Sequence, residues 1–286
     1  MPKIRIKERP IYYFIPAIIV LTILAIYPII NNVTLSLTSK SGAFSLANYQ
    51  RLFKDKWFWR ALGNTGKWAL FTVSMEMMVG MLMAFLMNMR LKGQALFRSL
   101  LIIPWMTPVI AICAVWKWMY NNDFGILSYA INRAFGTHLT FLSDHHMALF
   151  CLGVIYIWKR APFIMLMYLS GLQSVSEDVY EAAELDGCMG FQRLIKITLP
   201  LLFPIIRSLM LISMISSFNQ FTIVHTITGG GPARSTMVIQ NYIYNNGIAA
   251  NNFNFGAAAS TTFLVFIVIL ALIYINTTEK AEEGIY

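Results

Sequence analysis

Six apolar stretches, near residues 11–35, 68–89, 99–119, 147–171, 199–226 and 255–275, are each long enough to cross a bilayer. A crossing helix needs about 20 largely apolar residues to span some 30 Å of hydrocarbon. Lipid offers the backbone no hydrogen-bond partner, so a crossing segment is either a helix or a strand of a closed barrel. The alternating pattern of a barrel strand is absent here. The expected fold is therefore an all-α polytopic membrane protein with six transmembrane helices, forming one transmembrane domain over residues 1–286. Composition agrees: 57% of residues are apolar and only 12% charged, against roughly 25% charged in soluble domains. A soluble enzyme, a disordered chain and a fibrous protein are excluded.

The net charge of +9 follows from basic loops beside an anionic membrane and gives no reason to expect nucleic acid. Lys3, Arg5, Lys7 and Arg9 place the N-terminus in the cytoplasm, and six spans return the C-terminus to the same side. Inner segments then carry ten Lys or Arg and outer segments eight, six of them between Lys40 and Lys67. The run Ile11–Ile30 holds 20 residues without charge and without an A-x-A site, which fits an uncleaved span rather than a signal peptide. Cys113, Cys151 and Cys188 show no disulfide or metal spacing. Asp144-His145-His146 lacks further ligands at metal-site spacing, with His138 and His225 elsewhere, so no metal site is expected.

Two loops have structure of their own. In the first outer loop Tyr49, Leu52, Phe53, Trp57 and Ala61 recur at helical spacing. This reads either as an amphipathic helix on the outer surface or as a solvated connector. The longest inner loop, 172–198, reads as helix, turn, helix. Ser174 and Glu177 have capping-box spacing, Gly187 supplies a C-cap or turn, and a second short helix covers about 191–198. The small residues Ala182 and Ala183 would let another protein approach the backbone.

The same loop contains E-A-A, three residues, G, nine residues, I-x-L-P: Glu181, Ala182, Ala183, Gly187, Ile197, Leu199 and Pro200. This resembles the coupling motif of the permease subunits of type I ABC importers, in the loop where that family carries it. Phe97-Arg98 with Pro104-Trp105 and Trp116, Trp158-Lys159 with Pro162-Phe163, and Thr228-Gly-Gly-Gly-Pro232 are similar to the carbohydrate-uptake branch. There they match the maltose large-subunit type, a pattern shared by glycerol-3-phosphate and multiple-sugar permeases. The resemblance implies a permease core over 66–276, a sugar or glycan as solute, and residence in a bacterial or archaeal cytoplasmic membrane. It also implies a second homologous permease, two ATPase subunits and an extracytoplasmic solute-binding protein. Glu181, Ala182, Ala183, Asp186 and Gly187 would couple to one ATPase, and Gly229, Gly230, Gly231 and Pro232 would touch the binding protein. No G-x-x-x-x-G-K-[ST] occurs. The chain itself is thus expected to be non-catalytic and to hold no cofactor, with ATP and magnesium on the partner ATPases.

Charged residues within spans mark function by default. Glu76, Lys159, Arg160 and Arg207 qualify, while Lys117 lies near an outer span end and snorkels. Glu76 pairs with Arg160 or with Lys159, or else the cations face a water-filled cavity and bind solute. Two cations in a row lean toward an acidic glycan or a phosphorylated solute. In span five Ser213, Ser216, Ser217 and Gln220 form one polar stripe, of the kind that binds sugar hydroxyls or glues helices together. The resemblance carries sugar contact to Lys159, Arg160, Phe163, Ser213, Ser216, Ser217 and Gln220. A secondary transporter or channel without an ATPase is the alternative, but it would want an inverted repeat or several membrane carboxylates, and Glu76 stands alone. An intramembrane enzyme would want H-E-x-x-H or paired membrane aspartates, and neither occurs.

Overall fold

A computed structural model describes residues 11–39, 42–89, 92–136 and 139–283. The basic N-terminal residues, Lys40 and His138 lie outside that set. In order the helices are α1 (Ile11–Leu21), α2 (Tyr27–Ser36), α3 (Ala47–Lys54), α4 (Lys56–Asn88), α5 (Gln94–Met106), α6 (Val109–Met119), α7 (Ile126–Phe135), α8 (Ala148–Ser174), α9 (Glu177–Leu185), α10 (Gly190–Arg193), α11 (Leu199–Phe218), α12 (Thr222–Ile227), α13 (Ile239–Ile243) and α14 (Phe253–Glu283). Single π turns join α1 to α2, α10 to α11, and extend α13. Among the described residues the only extended pairing is the isolated bridge Thr38–Phe44. Among the described residues five helical segments are long and apolar enough to cross a membrane, or six where the bent pair counts as one span.

The bent pair corrects one expectation. Residues 99–119 do not form one continuous helix: α5 and α6 meet at 93°. Pro108 is the cause. It carries no N–H to continue the ladder, and it forces the preceding residue out of the helical region. Thr107 accordingly sits at ψ 136°. A second break interrupts the expected span 199–226 at Asn219–Phe221, between α11 and α12.

The first outer loop also differs from a separate surface helix over 49–62. Helix α3 stops at Asp55, whose ψ of 111° is extended, and α4 begins at the next residue. At 33 residues, α4 is about 50 Å long, well beyond the thickness of hydrocarbon. Its first turns carry Lys56, Arg60 and Lys67 before the apolar run begins. Phe58, Ala61, Thr65, Trp68, Thr72 and Glu76 are buried at intervals of three or four, so one stripe of this helix faces protein along its length.

The chain divides into two compact units, residues 1–56 with 243–265, and residues 57–242 with 266–286. In the first, Asn32 Nδ2 donates to Ser260 Oγ and Thr261 Oγ1, both at 3.0 Å. Asn254 Nδ2 donates to the Leu35 and Thr38 carbonyls at 3.1 and 3.0 Å. Gly247 and Gly256 bring two backbones together: a Cβ on Gly256 would lie 2.5 Å from the Gly247 Cα. Small residues at such crossings are the membrane solution to close helix packing.

In the second unit α8 is the central element. Its Cys151, Leu152, Ile155 and Tyr156 pack with Trp68, Ile112, Ile223 and Val224. Further along, Ile164, Met165, Tyr168 and Leu169 pack with Ala84, Leu202 and Leu209. Helices α4 and α8 approach closely at Gly80, where a Cβ would lie 2.6 Å from the Ile164 Cβ. That neighbour is β-branched and stiff, so it cannot yield. Gly80→Ala is expected to cost about 1–3 kcal/mol through overpacking, read as a lowered thermal midpoint of the detergent-solubilised protein. Gly63→Ala on the same helix, where a Cβ meets nothing within 4 Å, should leave the midpoint unlowered or raise it slightly, since Ala is the better helix former by about 0.5–1 kcal/mol.

Candidate functional site

Glu76 and Thr72 of α4, Arg160 of α8 and Ser213 and Ser217 of α11 gather on one seam. Glu76 is fully buried and Arg160 approaches it, with Nε 3.4 Å from Oε2. Both residues come from facing stripes, so the helix periods bring them level. Of the pairings left open by the sequence, the structure forms Glu76–Arg160. Glu76 Oε1 and Arg160 Nη2 are buried and make no hydrogen bond of normal geometry, with the fully buried Ser213 beside the carboxylate. The Arg160 guanidinium lies over the rings of Phe163 and Tyr156, at 5.3 and 5.9 Å. Phe163 in turn stacks on Trp105 at 5.5 Å and 30°.

Lys159 goes elsewhere. Its Nζ donates to the carbonyls of Thr107, Trp105 and Pro104, at 2.7, 3.1 and 3.5 Å. Adjacent positions on a helix point about 100° apart, which is why the two neighbouring cations have different partners.

The stripe on α11 divides in the same way. Ser217 shares a 2.7 Å hydrogen bond with Thr72 of α4, and both are buried; Ser217 joins two helices. Ser213 lies against Met77 and Glu76. Ser216 and Gln220 are half-buried, and Gln220 Nε2 makes no hydrogen bond. At the break that follows, Asn219 accepts from Gln240 Nε2 of α13 at 3.1 Å. Trp105, Tyr156 and Thr72 are absent from the sequence-based set. A signal was available for Tyr156: it precedes Arg160 by four residues and so shares its face of α8.

The inner loop folds as helix, turn, helix, with three corrections. The capping box is not formed: Ser176 is the N-cap of α9 and makes no side-chain cap bond, while Ser174 Oγ donates back to the Gly171 carbonyl at 2.7 Å. The second helix is not separate, because α10 and its π turn run directly into α11. Ala183 faces inward and is 5% exposed, so Ala182 alone presents a small residue to a partner. Gly187 does cap the helix. Its φ is +75°, its N–H donates to Glu184 O at 3.0 Å, and Cys188 N–H donates to Ala183 O at 2.8 Å. That pair of bonds is a Schellman motif. The Arg193 guanidinium lies 5.5 Å over the Tyr180 ring and ties α10 to α9. Between them and the end of α4 is a groove of about 530 Å³ that takes in Glu177, Tyr180, Glu181 and Glu184. The loop exposes three large apolar side chains: Leu185 is 90% exposed, Phe191 74% and Met189 58%. Sequence reading missed these three; their polar setting outside any apolar run was the available signal.

The outer loop is tightly tied. Gly229 and Gly230 adopt φ of +62° and +96°. Thr228 and Thr236 share a 2.8 Å bond, and Thr236 Oγ1 donates to the Gly231 carbonyl. Asn64 Nδ2 reaches across from α4 to the carbonyls of Ser235 and Met237 at 3.0 and 3.1 Å. Gly230 is buried, Gly231 and Pro232 are half-buried, and Ala233 and Arg234 are exposed. The Asp144 carboxylate accepts from His146 N–H at 2.6 Å, and this bond holds its pKa below the usual range. Among the described residues no group of three or more His, Cys, Asp or Glu comes together as a metal site would require.

Breaking one member of a buried ion pair strands the other. Glu76→Gln is therefore expected to cost about 3 kcal/mol or more, with Glu76→Met/Arg160→Met closer to wild type than either single variant. A thermal double-mutant cycle in detergent reads this, and additive single effects would rule out the pair.

The family described as binding-protein-dependent transport system inner membrane component matches residues 76–278. The trehalose/maltose transport system permease protein MalF of Thermococcus litoralis is 30% identical over 277 residues, covering 94% of this chain and 93% of that protein. The sulfoquinovosyl glycerol transport system permease protein SmoG of Agrobacterium fabrum is 30% identical over 268 residues, covering 91% and 87%. The crystal structure of a bacterial alginate ABC transporter in complex with an alginate pentasaccharide-bound periplasmic protein contains a chain of the same fold. The TM-score is 0.85 at 19% identity, over 95% of this chain and 94% of that one. The chain belongs to the family of binding-protein-dependent transport system inner membrane components, multi-pass proteins of the membrane.

Proposed function

We propose that this chain is one of two permease subunits of an ATP-driven sugar importer. It forms half of the solute pathway and performs no chemistry itself. ATP and magnesium reside on two separate ATPase subunits, and an extracytoplasmic binding protein delivers the solute. The observation that carries the reading is the exposed apolar surface of the inner loop. Leu185, Met189 and Phe191 stand on a helix–turn–helix whose turn is locked by Gly187. Large apolar side chains exposed together on a loop outside lipid suit a protein partner. Glu181, Ala182, Ala183, Asp186 and Gly187 shape that element, with Ala183 as its inward packing residue. Gly229, Gly231 and Pro232, with Arg234 beside them, form the contact for the binding protein, and buried Gly230 supports their turn. This orientation puts the inner loop and both termini in the cytoplasm of a bacterial or archaeal cell. Family membership weighs against a secondary transporter or channel.

The pathway reading rests on Glu76, Arg160, Phe163, Ser213, Ser216 and Gln220. The charge pattern that leaned toward an acidic glycan changes in three dimensions. Arg160 is balanced by Glu76, and Lys159 is engaged by carbonyls. With Arg160 paired to the single carboxylate and the Lys159 donors turned onto backbone carbonyls, neither cation is left free to ligate an anionic solute, and a region flanked by Trp105 and Phe163 suits an uncharged carbohydrate, whose ring faces pack on aromatic side chains.

Two experiments test this. The tagged chain, purified from native membranes in mild detergent, should bring down an ATPase and a second permease. Phe191→Asp should keep the permease pair and lose the ATPase, with a weakening of about thirtyfold for a hot-spot loss of about 2 kcal/mol. Recovery of the intact chain without any ATPase would overturn the importer reading. In the reconstituted transporter with its binding protein, neutral oligosaccharides should stimulate ATP hydrolysis; stimulation by uronate oligosaccharides alone would reject the uncharged-solute reading.

A further inference from the structure

The break between α5 and α6 leaves a helix C-terminus at membrane depth. The last carbonyls of a helix have no intrahelical donor, and Pro108 removes the one N–H that would have followed. In hydrocarbon each unsatisfied carbonyl is costly. The Thr107 hydroxyl and N–H both return to the Ile103 carbonyl, at 2.7 and 3.0 Å. The carbonyls of Pro104, Trp105 and Thr107 receive the Lys159 ammonium instead. An ammonium has three donors and no acceptor, and a helix C-terminus carries partial negative charge. Number, polarity and position all match.

Helix α8 also meets both halves of the break through its rings. Phe163, one turn beyond Lys159, stacks on Trp105, and Trp158 meets Trp116 of α6 edge-on at 5.5 Å. Trp105 therefore has its backbone carbonyl held by Lys159 and its ring held by Phe163. Phe163 in turn lies under Arg160.

We infer that Lys159 is a positioning residue rather than a solute ligand: its ammonium clamps the open end of α5, fixes the bend at Thr107–Pro108, and sets Trp105 against Phe163 beside the Glu76–Arg160 pair. The inference uses the reading of α5 and α6 as one broken membrane segment. It does not depend on which ATPase or binding protein completes the transporter.

The test measures the bend. Spin labels go on Leu96→Cys and Trp118→Cys, both exposed positions, in a Cys188→Ser background of the whole transporter in nanodiscs. A right-angle bend places these residues about 23 Å apart, and a straight helix would place them about 33 Å apart. Pulsed EPR should give a narrow short distance for the parent and a longer or clearly broadened one for Lys159→Met. Lys159→Arg, which keeps a charged donor, should retain the parent distance. Transport by Lys159→Met should lose maximal rate with the solute KM unchanged within about twofold. An unchanged distance distribution in Lys159→Met overturns the inference, and a raised KM alongside it would make Lys159 a solute contact. If Lys159→Met does not assemble, Lys159→Gln is read by the same two criteria. Failure of the ATPase pull-down would remove the importer reading and leave the distance result standing.

Discussion

Hydrocarbon gives a backbone carbonyl nothing to bond with, and much of this structure answers that constraint. Where the chain stays helical, the carbonyls are satisfied internally. Where Pro108 stops a helix within an apolar stretch, three carbonyls are opened, and the Lys159 ammonium meets them. That contact fixes a 93° bend and the orientation of Trp105. It also occupies the donors of that cation, so the lysine keeps its charge but is turned onto the backbone of its own chain.

Close approach of α4 and α8 is the second dependency. Gly80 and Gly153 remove the Cβ atoms that would otherwise meet Ile164 and Phe71. With the helices this near, Glu76 and Arg160 come within ion-pair distance although both are short of water. A buried pair of this kind is not an efficient source of stability; its value lies in specifying register between two apolar helices that could otherwise slide. The Thr72–Ser217 bond performs the same task between α4 and α11.

The inner loop follows a different logic, because it lies outside the apolar helices and obeys ordinary capping rules. Gly187 at φ +75° closes α9 with two backbone bonds, and the chain turns directly into α10 and α11. A rigid turn continuous with a long helix is suited to passing a push from outside the membrane into it. The outer loop is made rigid by other means: side-chain hydroxyls and Asn64 hold a glycine-rich turn that has little packing of its own.

Much of this was legible in the residues alone. Hydropathy placed the apolar segments because burial in lipid is a property of a contiguous stretch. The E-A-A run marked the inner loop, and Gly187 marked its turn, because a left-handed cap almost demands glycine. The Ser174–Glu177 box failed because Ser174 is still the last residue of α8, where its hydroxyl bonds back to the preceding turn. Ala183 was misjudged because a short helix has an inward face that spacing alone does not orient. The choice among Glu76–Arg160, Glu76–Lys159 and free cations was open for the same reason: it depends on which helix lies opposite each side chain. Local pattern determined which segments are helical and apolar and where the loop with the Gly187 turn lies, since these are decided within a few turns of chain. Tertiary structure decided how each buried charge is compensated, since a partner 52 to 84 residues away in sequence is found only by packing.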